Sequence, residues 1–243
     1  MLMQSRKHGV TVHIRTTRID HPLMSFSFIS NAAIKVADNI LEVSDDGSLF
    51  VNGNDASESD MMFLPSAFDG FKLIRTTKGT KSNILAYMLD LGQDRFVEIR
   101  CNKKSGMLFI DVGGTFSDSE GLLGNSGTEE LYSRDGSIDL TGQWNSLAED
   151  WQVRSDEPML FHEVRYPQFP AGCSYESSST STSSNLRRRL LGGTMGVSKD
   201  VAKKACANAA SSTMMEYCIT DVMVTGVVDI ADDEFYQQQH AKK

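Results

Sequence analysis

Arg95-Phe96-Val97-Glu98-Ile99-Arg100-Cys101, followed after a short polar stretch by Met107-Leu108-Phe109-Ile110-Asp111-Val112, decides the fold class. Side chains along a strand alternate between its two faces. Val97, Ile99 and Cys101 therefore share one face, and Phe96, Glu98 and Arg100 the other. Lys103 to Gly106 between the two runs is turn chemistry, so 95–112 reads as a β-hairpin.

The same pattern extends in both directions. Thr11 to Arg15 and Ala33 to Asp38 alternate, and Ser25 to Ser30 carries Phe26 and Phe28 at period two. Ile40 to Val43 runs into Asp45-Asp46-Gly47, and Leu49 to Val51 runs into Asn52-Gly53, which are tight-turn signals between strands. Phe71 to Thr77 and Asn83 to Leu91 read as further strands. Residues 1 to about 155 thus read as β. Short half-buried strands separated by turns predict a mainly β chain built as an antiparallel β-sandwich.

The chain has 243 residues, 40% of them apolar and 23% charged, which is ordinary globular composition. Its 24 Lys and Arg stand against 32 Asp and Glu, a formal charge of −8. That balance argues against nucleic acid as a partner, since phosphate neutralisation needs a basic face. Ile219 to Ile230 is the most apolar stretch of the C-terminal part, but it is short and cut by Asp221 and Asp229, so no membrane insertion is expected. The N-terminal residues carry a basic patch with no apolar run after it, and no signal peptide is visible there.

Composition changes after residue 162. Pro167, Pro170 and Gly172 precede Glu176 to Asn185, which is almost pure hydroxyl. This predicts a linker over 163–194 between a β domain at 1–162 and a tail at 195–243. Arg187-Arg188-Arg189 in that linker reads either as a processing site for a secretory protease or as a solvated charge run. In the tail, Ser198 is placed to cap a short helix with Val201, Ala202, Ala205 and Ala209 on one stripe. A second helix follows, with Thr213 and Glu216 as a capping box and Met215, Cys218, Ile219, Val222 and Met223 at helical spacing. Gly226 is placed to end it.

Catalytic signatures are scarce. None of His8, His13, His21, His162 and His240 has zinc-site spacing, and no nucleophile elbow or C-x-x-C is present. Gly79-Thr80-Lys81-Ser82 ends like a phosphate loop but lacks the upstream glycine. His13, between Val12 and Ile14, is expected on the outer face of a strand as a surface or rim residue. Asp45 with Asp46, or Asp118 with Glu120, are the carboxylate pairs a hydrolase reading would use.

Three segments together carry a family resemblance. They are Gly121-Leu122-Leu123-Gly124-Asn125 followed by Arg134-Asp135-Gly136, then Trp151-Gln152-Val153, and then the cysteine-bearing tail around Cys218 to Gly226. Together they resemble a von Willebrand factor type D domain with the helical tail found in large modular surface proteins of algae and other protists. The resemblance covers residues 9 to 235. Two departures stand out. Leu123 occupies the position where the family commonly has Cys, and the family's opening strands have no counterpart before residue 9. The chain thus looks like a D domain lacking its first strands, with an unpaired sheet edge in consequence.

The resemblance implies a calcium ion at the loop after Gly124, held here by Asn125, Glu129 and Glu130. Calcium takes six to eight oxygen ligands, so three side chains predict weak binding. The resemblance also implies a Cys206–Cys218 disulfide. Cys101 and Cys173 are left either to form a second bridge or to remain buried thiols. The function implied is a non-enzymatic extracellular or cell-surface module for adhesion, matrix assembly or ligand binding, with other surface proteins or glycans as partners. The alternatives are an enzyme or accessory domain of a secreted hydrolase, or a fragment without independent function.

Overall fold

The 95–112 hairpin is present as β9 (Arg95–Asn102) and β10 (Met107–Gly113) in a computed structural model, which describes residues 1–21, 24–56, 72–78, 84–125, 130–163 and 197–232. Directly opposite pairs run from Asn102 with Met107 to Phe96 with Gly113. β8 (Ile84–Gly92) and β7 (Lys72–Lys78) complete a four-stranded antiparallel sheet in the order β10-β9-β8-β7.

A second antiparallel sheet has seven strands. β2 (Val10–His21) and β3 (Met24–Val36) form its centre. β4 (Asn39–Ser44), β5 (Leu49–Val51) and β6 (Asn54–Asp55) extend one side, and β1 (Met3–Ser5) and β11 (Ser119–Glu120) the other. Met3–Ser5 does not form the sheet's margin, because Ser119 and Glu120 pair with Ser5 and Gln4. Asn52 and Gly53 both have positive φ, 52° and 78°, as the tight turn at Asn-Gly requires.

The two sheets pack face to face, as the alternation predicts. Val12, Ile34, Leu41, Val43 and Leu49 of one meet Leu85, Tyr87, Leu89, Val97 and Ile99 of the other in one core. Cys101 is buried there as a thiol, 3.4 Å from the Asp45 carbonyl oxygen it donates to. Cys173, Gly79 to Ser82, His21's side chain, His240 and nearly all of the expected linker lie outside what is described.

Both outer faces are covered in part as well. The face carrying Phe109 and Met107 lies under the tail, where those two and Phe28 pack with Ala202, Cys206, Cys218, Val222 and Ile230. The tail consists of α2 (Lys199–Ala205), a 3₁₀ turn at Cys206–Asn208, α3 (Ser212–Thr225) and a 3₁₀ turn at Val228–Asp232. Ser198 caps α2 by accepting from Val201 N, and Gly226 closes α3 at φ 67°. Two expectations are corrected. Ser211, not Thr213, caps α3, because its hydroxyl reaches Met214 N before the chain turns helical. Val201 is 46% exposed, since the short α2 turns only Ala202 fully into the interface.

Residues 130–163 cover part of the seven-stranded sheet. They contain a helix that the sequence reading did not single out, α1 (Trp144–Asp150), which buries Leu147. Leu160 and Phe161 seal Ala33, the cross-strand partner of His13. His13 is consequently only 5% exposed and not a rim residue. Its alternation was read correctly, but the face it points to is roofed by a loop far away in sequence.

Burial pushes the His13 pKa down to about 4, with the Met1 ammonium and Arg134 adding to the effect and Glu157 opposing it. The unfolded chain therefore binds a proton on His13 at a higher pH than the native one. Stability from this group is complete above pH 6.5 and falls as pH drops towards 4, by about 3 kcal/mol in all. Urea unfolding at pH 7 and pH 4 is expected to differ by that much more in the native chain than in His13→Gln.

Candidate functional site

The Gly121–Asn125 turn is built by backbone geometry that only glycine provides. Gly121 has φ 125°, and a Cβ there would stand 2.6 Å from the Leu2 carbonyl oxygen. Gly124 has φ 64°, and its Cβ would meet the Glu130 carbonyl oxygen at 2.7 Å. These are close approaches of one chain segment to another, permitted by the missing side chain. Ser119 Oγ donates to Gly124 O at 2.9 Å, and Asn125 Nδ2 donates to Ser117 O at 2.8 Å. The turn is thus tied back onto the strand that precedes it.

The Arg134-Asp135-Gly136 turn sits beside it. Tyr132 and Asp139 pair across this turn, and Asp135 accepts from Ser133 Oγ, Ser137 N and Ser137 Oγ at 2.6, 3.0 and 2.7 Å. Those bonds, the Ser133 hydroxyl's first, hold the Asp135 carboxyl down at about 2. Arg134 faces the other way. Its guanidinium lies 5.4 Å from the Trp151 ring centroid and bonds Glu157 and the Gln152 carbonyl oxygen. Trp151 returns a bond from Nε1 to Tyr132 O at 2.9 Å.

The three separate stretches of the β region therefore meet at one place. Between them lies a cleft of about 350 Å³, whose lining includes Asp118, Glu120, Asn125, Glu130, Tyr132 and Trp151. Of the residues expected at a metal loop, Asn125 and Glu130 line this cleft, and Glu129 lies outside the described residues. Tyr132, which sequence reasoning did not single out, is 41% exposed there and donates its hydroxyl to Glu130 Oε2 at 3.1 Å. No motif marks it. Its place follows from the turn beside it.

The described donors do not fit a calcium ion by themselves. Among the described residues no three His, Cys, Asp or Glu side chains come together in a metal-holding group. Asp118 uses Oδ1 to accept from Ser5 Oγ and Oδ2 to accept from Lys7 N, both at 2.7 Å. Gly124 O is engaged by Ser119. A calcium set at this loop would need the segment 126–129.

Asp118 and Glu120 both line the cleft, yet the environment of Asp118 is not that of a proton donor. Partial burial works to raise the Asp118 pKa, but the Lys7 N–H and Ser5 hydroxyl bonds outweigh it and leave it lowered. A general acid at neutral pH needs the opposite shift. Glu120 is engaged through Oε1 by Arg6 at 3.0 Å. Asp45 and Asp46 serve the β4–β5 turn, where Asp46 Oδ1 accepts from Ser48 N at 2.8 Å.

The disulfide Cys206–Cys218 is formed, with Cα atoms 5.9 Å apart and both residues buried. It joins α3 to the 3₁₀ turn after α2, as expected. No described helix is long and apolar enough to cross a membrane. No protein-family model matches the chain, and no curated protein matches it either.

Proposed function

We propose that this chain is a non-enzymatic module of an extracellular or cell-surface protein, resembling a von Willebrand factor type D domain and used for adhesion, matrix assembly or ligand binding. The observation that carries the reading is the buried Cys206–Cys218 disulfide, which closes the helical tail that covers Phe28, Met107 and Phe109. Disulfides of this structural kind persist in oxidising compartments. The convergence of the Gly121–Asn125 turn, the Arg134–Gly136 turn and Trp151 on one cleft supports a surface site for partners, either proteins or glycans. Calcium has no step in the proposal, because the described donors do not make a set for it.

The test is the fate of the full chain in the cell that makes it. Tagged product recovered outside the cell, with Cys206 and Cys218 resistant to alkylation before reduction, is the expected result. A cytosolic pool with both cysteines alkylated at once overturns the proposal.

The disulfide has a stability consequence. It spans a sequence separation of 12 residues. In the chain-entropy model closing such a loop contributes ~3 kcal/mol. The paired replacement Cys206→Ala and Cys218→Ala is expected to lose about that much. Limited proteolysis should then cut first within 197–232, while the sandwich core resists.

A further inference from the structure

We infer that the cleft between the Gly121–Asn125 turn and Trp151 is a binding site for a neutral sugar unit of a glycan. This inference rests on the extracellular-module reading and names the ligand class for its site.

The cleft volume, about 350 Å³, lies in the range of small-molecule sites, ~300–1,000 Å³, at its lower end. A sugar ring presents two chemistries: a C–H face of low polarity and a rim of hydroxyl donors. The cleft offers a partner for each. Tyr132 lines the cleft and is 41% exposed as a residue, while its hydroxyl is anchored on Glu130. An aromatic face held this way is a platform for an apolar surface, at low entropy cost because the ring is already fixed.

Carboxylates supply the acceptors. Each ionised carboxylate has about four lone-pair sites. Asp118 accepts from Ser5, from Lys7 and from its own backbone N–H, and Glu120 accepts from Arg6 through Oε1. Acceptor capacity therefore remains on groups already oriented by the protein. Hydrogen bonds from neutral hydroxyls to charged acceptors are about twice as strong as neutral ones.

Charge selects among sugars. Asp118, Glu120 and Glu130 line the cleft, and among the described residues no lysine, arginine or histidine does. Sulfated or carboxylated glycans are repelled. A cationic peptide gains less than the carboxylate count implies, because Arg6 already pairs with Glu120 and Asp118 already accepts from Ser5, Lys7 and its own backbone N–H.

The experiment uses the full oxidised chain and saturation-transfer NMR with calorimetric titration. The probes are neutral oligosaccharides of glucose, mannose, galactose and N-acetylglucosamine, a heparin tetrasaccharide and a tri-arginine peptide. At least one neutral probe should bind with a Kd of about 1 mM or tighter. Tyr132→Ala should weaken it about tenfold, Tyr132→Phe, which keeps the ring but loses its anchor on Glu130, should weaken it by less, and Glu130→Gln should weaken it several-fold. Melting curves of each variant confirm that the fold is intact. Silence across the neutral panel at about 10 mM overturns the inference, as does binding indifferent to Tyr132→Ala. Preferential binding of heparin or of the arginine peptide overturns it too. If the chain is secreted and oxidised yet binds no neutral sugar, only this inference falls. A cytosolic, reduced product removes the module reading beneath it.

Discussion

Arg100→Ala is expected to destabilise the chain by about 3–5 kcal/mol, a large share of the ~5–15 kcal/mol that holds a domain together. Arg100 has no exposed side-chain surface. Its Nη2 lies 2.7 Å from Asp111 Oδ2, and its Nε lies 3.7 Å from Glu98 Oε2. Glu98 and Asp111 stand directly opposite each other on β9 and β10. Two like charges in that cross-strand position repel, and Arg100 is the cation between them on the same face. Removing it leaves Glu98, only 9% exposed, and Asp111 opposite each other without the guanidinium. Arg100→Lys is not a conservative rescue, because a single ammonium cannot span two carboxylates as the planar guanidinium does. Urea unfolding followed by far-UV circular dichroism gives the loss as a shift in midpoint at constant slope. Adding Glu98→Gln and Asp111→Asn to Arg100→Ala should recover much of it, since the two like charges that faced the guanidinium are then gone. A loss below about 1 kcal/mol for Arg100→Ala would mean that water reaches the carboxylates beneath the tail.

Trp151→Ala is expected to cost a similar ~3–5 kcal/mol, concentrated in residues 130–163. Trp151 is 3% exposed and packs with Leu131, Leu140 and Leu147 in a cluster separate from the main core. It also carries three polar links. Its Nε1 bonds Tyr132 O, its ring lies beneath Arg134, and its carbonyl oxygen accepts from the Met1 amine. Truncation removes the filler of the cluster and strips the Tyr132 carbonyl of its donor at the same time. Trp151→Phe keeps most of the packing and loses only the N–H bond, so it should cost about 1–3 kcal/mol. Hydrogen exchange separates local from global loss. Amides of 130–163 should open in Trp151→Ala while those of β8 and β9 stay protected. Uniform loss across all strands would show that this cluster and the sandwich core form one cooperative unit.

These two residues divide what could be read in advance from what could not. Trp151 and the turn glycines were singled out in the sequence, and the structure brings them to one cleft. Arg100 was placed on the correct strand and face, yet nothing in its alternation announced full burial. The tail that covers that face begins almost a hundred residues later. His13 was misjudged in the same way. The break between Ser25–Ser30 and Ala33–Asp38 has a different cause. Ser25–Ser30 and Ala33–Val36 both belong to β3, while Ala37 and Asp38 form the turn after it, and a register shift opposite Arg15 and Thr16 interrupts the alternation. Ser30 fills the irregularity, with its hydroxyl bonding the Arg15 carbonyl oxygen. The extra residue moves Phe28 out to the tail while Ile29 stays against the core. α1 escaped because seven residues give too few turns for a helical period to show, although Trp144, Leu147 and Trp151 carry the spacing.

By itself the sequence determined what depends on near neighbours. The strand faces follow from period-two alternation, the β4–β5 and β5–β6 turns from Asp-Asp-Gly and Asn-Gly, and the ends of the tail helices from Ser198 and Gly226. Those preferences act over a few bonds and are written in consecutive residues. Tertiary structure decided which outer faces are dry and which turns share a cleft. Burial and charge pairing depend on segments joined only by folding, as where Leu160 and Phe161 close over Ala33, and the tail lies over Phe109.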